Sequence, residues 1–323
     1  MNTAIKLGGF GIGLAAVFTA ALGLGSLFPA SAPATPAAHG GHTGTPAEQN
    51  TPAAALPAGL QISQDGYRLT LLNGSLSTGT PQPFRFQITG PDSRPVTAYT
   101  TSHDKDLHLI VVRRDLSGFQ HVHPELGRDG TWSIPLAVPA AGQYRVFADF
   151  QPAGNDGLTL GADVPAVGDY RPTPLPATAR TATVDGYTVT LTGDLAPGAS
   201  STVTLSVSKD GRPVTDLQPY LGAYGHLVAL RDGDLAYLHV HPDGTPGDGR
   251  TTAGPAIAFH AEVPSAGAYR LYLDFQHGGK VRTAEFTAVA GSTAAPMSGT
   301  PATAAASTTP SPARHGADGH THD

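Results

Sequence analysis

Beyond the first 58 residues or so, apolar and polar positions alternate in short runs. Phe84, Phe86 and Ile88 alternate with Arg85, Gln87 and Thr89, and Val203, Leu205 and Val207 with Thr204 and Ser206. A period of two is that of a half-buried strand, whose successive side chains face opposite ways. Further runs at 67–71, 131–136, 144–150, 187–192, 256–263, 269–275 and 281–288 are each bounded by Gly, Pro, Asp or Asn, as strands are. No stretch after the N-terminal segment sustains a helical period. The pattern predicts an all-β protein.

The pattern also repeats. Gly66-Tyr67 matches Gly186-Tyr187, Ala141-Gly142-Gln143-Tyr144-Arg145 matches Ala266-Gly267-Ala268-Tyr269-Arg270, and Asp149-Phe150-Gln151 matches Asp274-Phe275-Gln276. Each copy is about 110 residues, the size of one domain and too long for a solenoid repeat. Seven or eight short strands in that length predict two tandem immunoglobulin- or cupredoxin-like antiparallel β-sandwich domains. The expected boundaries are 59–170 for the first and 179–290 for the second. A proline-rich linker over 171–178, semi-rigid because of its prolines, joins them.

Histidine recurs in a fixed frame within this repeat. His108, His121, His123 and Pro124 in the first copy return as His226, His239, His241 and Pro242, at one constant offset of 118 positions (108 to 226). The flanking runs 107–112 and 119–123 read as two strands joined by the tight connection Asp115-Leu116-Ser117-Gly118. Pairing Val112 with Phe119 sets His108 opposite His123, on the same side of the ladder. His121 lies two positions along and shares that face. In the second copy Arg231-Asp232-Gly233-Asp234 makes the turn and sets His226 opposite His241, with His239 alongside. Three imidazoles then converge in each domain.

Imidazole is the commonest metal-ligating side chain, and such a set suits Cu(II) or Zn(II). Cu(I) is disfavoured: cysteine is absent, and the two methionines, Met1 and Met297, lie outside the repeats. A fourth position falls to water, to His103 in the first copy, or to His260 or His277 in the second. Asp149 and Asp274 are candidates for direct ligands, or for acceptors that hold an imidazole tautomer. The same carboxylates would also serve a structural role, with each histidine ring satisfied by a buried acceptor and no metal involved. A zinc hydrolase is the weakest reading. Three histidines with an open position fit one, but no HExxH, Gly-x-Ser-x-Gly or phosphate-cradling loop accompanies them.

Composition narrows the setting. Without cysteine there is no disulfide, thiolate nucleophile or iron–sulfur cluster. Charged residues make up 14% of the chain and the net charge is −6. With no basic run, nucleic-acid binding is not expected. Lys6 precedes a neutral apolar stretch ending near Phe28, and Ala30-Ser31-Ala32 has the form of a cleavage site. Residues 1–32 thus read as a signal peptide or a membrane-anchoring transmembrane helix. The tracts 33–58 and 291–323, rich in Ala, Pro, Thr and Gly, are expected to be disordered. They carry His39, His42, His315, His320 and His322, which leaves a solvated linker and weak metal capture both open.

The phrase Tyr220-Leu221-Gly222-Ala223-Tyr224-Gly225-His226-Leu227-Val228, followed by Tyr237-Leu238-His239-Val240-His241-Pro242, resembles the YtkA-like and FixH-like β-sandwich domains of exported bacterial proteins. The layout over about 60–290 is similar to uncharacterised secreted proteins of high-GC bacteria that carry the domain twice. The resemblance implies copper or heavy-metal handling. The first copy departs from the phrase, with Ser102-His103-Asp104-Lys105-Asp106-Leu107 where the second has Tyr220 to Gly225. The expectation is an exported, metal-buffering or metal-delivering protein, not an enzyme. Its partners would be the ion and a membrane transporter or metalloenzyme assembly factor. The alternative is an extracytoplasmic scaffold with structural histidines.

Overall fold

The computed structural model describes residues 56–291, apart from the side chains of His239 and His241. The expected signal or anchor helix and most of the two low-complexity tracts lie outside the described residues. Within 56–291 every regular element is a strand.

In the first sandwich, β1 (Ser63–Gln64), β2 (Tyr67–Leu71), β3 (Gln82–Thr89), β4 (Leu107–Arg113), β5 (Gln120–Val122), β6 (Glu125–Leu126), β7 (Thr131–Leu136), β8 (Gly142–Phe150) and β9 (Leu158–Ala166) form two sheets. Their orders are β1-β2-β3-β7-β6 and β5-β4-β8-β9, with antiparallel ladders. The second sandwich comprises β10 (Thr181–Val184), β11 (Tyr187–Thr192), β12 (Ser200–Lys209), β13 (Arg212–Pro213), β14 (His226–Arg231), β15 (Tyr237–Pro242), β16 (Ala256–Glu262), β17 (Gly267–His277) and β18 (Lys280–Ala290). Here β15 pairs with β14 along most of its length and with β16 at His241 and Pro242, so one strand crosses from sheet to sheet. In the first sandwich the same path is split into β5 and β6 at His123-Pro124. Proline has no N–H to donate to a ladder, so the histidine frame sits where the chain leaves its sheet.

Each sandwich buries one face of each alternating strand. Leu69, Phe84, Phe86, Ile88, Leu109, Val111, Trp132 and Tyr144 meet in the first core, and Val203, Leu205, Val207, Leu227, Phe259, Tyr269 and Leu271 in the second. The strand β4 breaks the alternation: all seven of its residues are buried. Leu107, Leu109 and Val111 face their own core. Ile110 and Val112 join Leu116, Phe147, Val228, Leu230, Leu235, Tyr237 and Tyr272 in a third apolar cluster between the sandwiches. An unbroken apolar run is what a strand covered on both faces requires.

The contact is reciprocal. Phe119 stacks on Tyr272 at 3.9 Å between ring centroids, and its counterpart Tyr237 packs on Phe147, the counterpart of Tyr272, at 5.3 Å. The Tyr272 hydroxyl donates to Leu116 O at 2.6 Å. The linker is fastened down too, since Thr173 N donates to Asp115 Oδ2 at 2.6 Å and Leu175 packs on the shared cluster.

Candidate metal centre

The register Leu109↔Val122, Ile110↔His121 places His108 opposite His123, as the sequence frame predicts. These histidines lie on the face of β4 that carries Ile110, so they line one end of the seam between the sandwiches. His108 Nδ1 is 3.0 Å from His121 Nε2 and 3.2 Å from His123 Nε2. Nitrogens about 2.0–2.1 Å from one tetrahedral ion would lie roughly 3.3 Å apart.

The outer nitrogens decide what the inner ones carry. His108 Nε2 lies 3.1 Å from Ser102 O, so that nitrogen holds the proton and donates. His121 Nδ1 lies 2.9 Å from Asp274 Oδ2 and donates to the carboxylate. When both rings are neutral, His108 Nδ1 and His121 Nε2 are therefore bare lone pairs facing each other. Such an arrangement suits a cation between them, either a proton or a metal ion, although a neutral His123 could also donate from Nε2 to His108 Nδ1. Burial is the main reason that His108 is held neutral, with its pKa lowered to about 4, and the neighbouring His121 adds to it. His123 falls to about 3 from burial, then from His121 and His108. Neutral imidazole is the form that binds metal.

The supporting carbonyl comes from a tight turn. Ser102 and Lys105 exchange backbone hydrogen bonds around His103 and Asp104, both left-handed at φ 50° and 59°. That is the geometry of a two-residue type I′ loop. The second sandwich has the same turn between Tyr220 and Ala223, with Leu221 at φ 51° and Gly222 at φ 73°. Tyr220 O accepts from His226 Nε2 at 2.9 Å, the counterpart of Ser102 and His108. His226 is held neutral near pKa 4, chiefly by burial. The ladder Leu227↔Val240, Val228↔His239 repeats the first-copy register, so the backbones of His226, His239 and His241 stand as those of His108, His121 and His123 do.

The carboxylates behave differently from a within-domain reading. Asp149 and Asp274 pair along the backbone with the histidines of their own sandwich, His108 and His226. Yet the Asp274 side chain reaches His121 of the other sandwich, and the side chains of this pair are 6% and 5% exposed. Asp274 Oδ1 accepts from Thr283. Asp149 likewise accepts from Thr159 at 3.0 Å and, across the seam, from the Tyr237 hydroxyl at 3.4 Å. His103 also crosses over. Its ring lies 5.3 Å from His226 and 6.1 Å from His108, so its nearer imidazole is in the second sandwich and not its own. A cavity of about 20 Å³ lies among His103, His108, His121, Asp149, His226 and Tyr237. The remaining two candidates stand apart. His277 is engaged by the Tyr187 hydroxyl and Asp216, and His260 is exposed on β16 with Thr202 at 3.5 Å.

Sequence reasoning missed the two carbonyls, the exchange of Asp274 and His103 between sandwiches, and Tyr237. The one signal for the carbonyls was the turn phrase preceding each first histidine.

Fold and site together define a tandem β-sandwich pair with a histidine-lined seam. The chain belongs to the family described as Domain of unknown function (DUF8832), which it contains twice, at 62–171 and 182–292. That double match establishes two copies of one domain, and does not extend to YtkA-like or FixH-like identity. The chain has no match among curated proteins. Similar solved structures include the Escherichia coli adhesin FdeC (13% identity, TM-score 0.24, 71% of this chain and 65% of that one). A membrane-anchored protein from Corynebacterium diphtheriae follows at 12% identity and TM-score 0.22, covering 70% of this chain and 57% of that one. Invasin, a bacterial integrin-binding protein, gives 12% and 0.21, with 69% and 39% covered. The chain thus spans less than two thirds of each of these structures, and likeness at this level carries no argument about function.

Proposed function

We propose that this protein binds Zn(II) or Cu(II) outside the cytoplasm and buffers or delivers it without catalysis. The observation that supports this most is the convergence of His108 Nδ1, His121 Nε2 and His123 Nε2, with the outer nitrogens of His108 and His121 tied to Ser102 O and Asp274. Three neutral imidazoles, two of them oriented by acceptors, form a nitrogen set for a borderline divalent ion. The buried Asp274 carboxylate offsets part of the ion's charge. By backbone register, His226, His239 and His241 are proposed for the same roles in a second centre. Export rests on the apolar segment before Ala30-Ser31-Ala32. A membrane metal transporter or metalloenzyme assembly factor is the proposed recipient.

The test is elemental analysis of untagged protein, followed by calorimetric titration of the metal-free chain with Zn(II) and Cu(II) separately. Two tight equivalents are expected, and a silent titration with both metals overturns the reading. The buried His121–Asp274 pair favours one competing account, in which a proton shared between His121 and His108 fills the role of the ion and the histidines only hold two sandwiches together. In that case H121A would destabilise the chain while bound metal stayed near zero.

A further inference from the structure

The three rings of the first centre have centroids 4.9–5.3 Å apart. That is the spacing of imidazoles on one ion: with nitrogens about 2.0–2.1 Å from a tetrahedral metal, ring centres fall roughly 5.2 Å apart. Across the seam, His103 and His226 meet the same criterion at 5.3 Å and an interplanar angle of 62°. His103–His108 and His121–His226, both at 6.1 Å, do not. His103 therefore belongs geometrically with the second sandwich, although the first supplies it.

Its counterpart is not a histidine. The turns Ser102–Lys105 and Tyr220–Ala223 match residue for residue, and the left-handed position taken by His103 in one is taken by Leu221 in the other. The two turns meet: a Cβ on Gly222 would lie 3.8 Å from Asp104 Oδ2, and the Tyr220 ring is 6.4 Å from His123. Each turn thus lies against the other sandwich's histidines, but Leu221 brings no nitrogen.

We infer that the two centres are unequal. Resting on the metal-binding reading above, His103 is a ligand contributed in trans to the centre containing His226. With His239 and His241 as its further candidates by backbone register, that centre would have four protein nitrogens, whereas the centre at His108, His121 and His123 would have three and keep one position for water or an incoming ligand. A closed nitrogen shell is the form of a structural site, whereas an open position permits exchange. The first centre would then be the one that takes up and passes on the ion.

The test uses the full chain, stripped of metal and titrated with Zn(II) against a chromophoric chelator. The His123→Ala variant assigns the equivalents, because it removes the first centre alone. Two affinity classes are expected, with the tighter at the second centre. H103L, which copies Leu221, should weaken only that class, by at least about tenfold, the lower end of what loss of even an outer-shell partner does to metal affinity. In the same variant the visible spectrum of Co(II) at the second centre should change as one nitrogen is lost. The converse L221H, placing histidine at a φ that His103 already adopts, should tighten the first centre and keeps the test open if H103L misfolds. Two bound equivalents that neither variant moves would overturn the inference and leave metal binding standing. An H103L effect confined to the first centre would do the same. Absence of any bound metal overturns both.

Discussion

Replacing Asp274 by Asn should loosen metal held by the other sandwich. The carboxylate is buried, accepts His121 Nδ1–H at 2.9 Å, and is braced by the Thr283 hydroxyl at 2.6 Å. A hydrogen bond to a charged group contributes about 1.5–3 kcal/mol. At 1.4 kcal/mol per decade that is roughly 10- to 100-fold, which agrees with what orienting partners of metal-bound histidine supply. Asparagine can still accept from Nδ1–H, so D274N removes the charge while keeping the tautomer. Its effect belongs at the lower end, near tenfold, with D274A nearer the upper. The assay is chelator competition at the first centre, read in a His226→Ala background so that only that centre reports. Unchanged affinity in both variants would refute the claim that Asp274 supports the centre across the seam. If instead metal is never bound and D274N lowers the melting temperature by several degrees, the pair is a structural ion pair.

Acid should destabilise the metal-free chain. The folded-state pKa of His226 is about 4 against 6.5 unfolded. The unfolded chain therefore takes up the proton first, so the contribution is complete above about pH 6.5 and is lost as pH falls towards 4. It amounts to about 3 kcal/mol for this residue, at 1.36 kcal/mol per unit. Urea unfolding in chelator at pH 7 and pH 4.5 measures it, and equal stabilities would contradict it. Tyr272→Phe should cost about 1–3 kcal/mol by leaving Leu116 O without its donor, and thermal unfolding at neutral pH reads this directly. H277A and H260A should leave metal stoichiometry unchanged, because His277 serves Tyr187 and Asp216 and His260 faces solvent. A lost equivalent in either would show that the ligand set is wrong.

Much of the fold was legible because period-two alternation is a local signal. Tyr67–Leu71, Thr131–Leu136 and Tyr187–Thr192 have the bounds the pattern predicts. The strand Leu158–Ala166 escaped notice: Gly161-Ala162-Asp163 reads as a turn, while Gly161 in fact lies tight against Gly59 O, where a side chain would clash. The register of the histidine frame was also legible, since turn and pattern fix it together. What crosses the seam was not. Nothing in the periodicity says that Asp274 pairs with His121, or that His103 turns towards His226, because packing between sheets leaves no sequence period. One clue was available in 107–113, where β4 carries apolar residues on both faces and thereby announces a second covered surface.

The reciprocal stacking of Phe119 on Tyr272 and of Tyr237 on Phe147 has the character of an isologous contact, in which one surface patch meets its own copy about a twofold axis. A lone unit bearing this face would have a self-complementary patch and would associate as a homodimer at sufficient concentration. Joining two copies through 171–178 makes that encounter intramolecular and so independent of dilution. Fusion also removes the constraint of identity. In a homodimer every substitution appears on both sides of the axis, whereas in a single chain one turn can keep a histidine while its twin carries leucine.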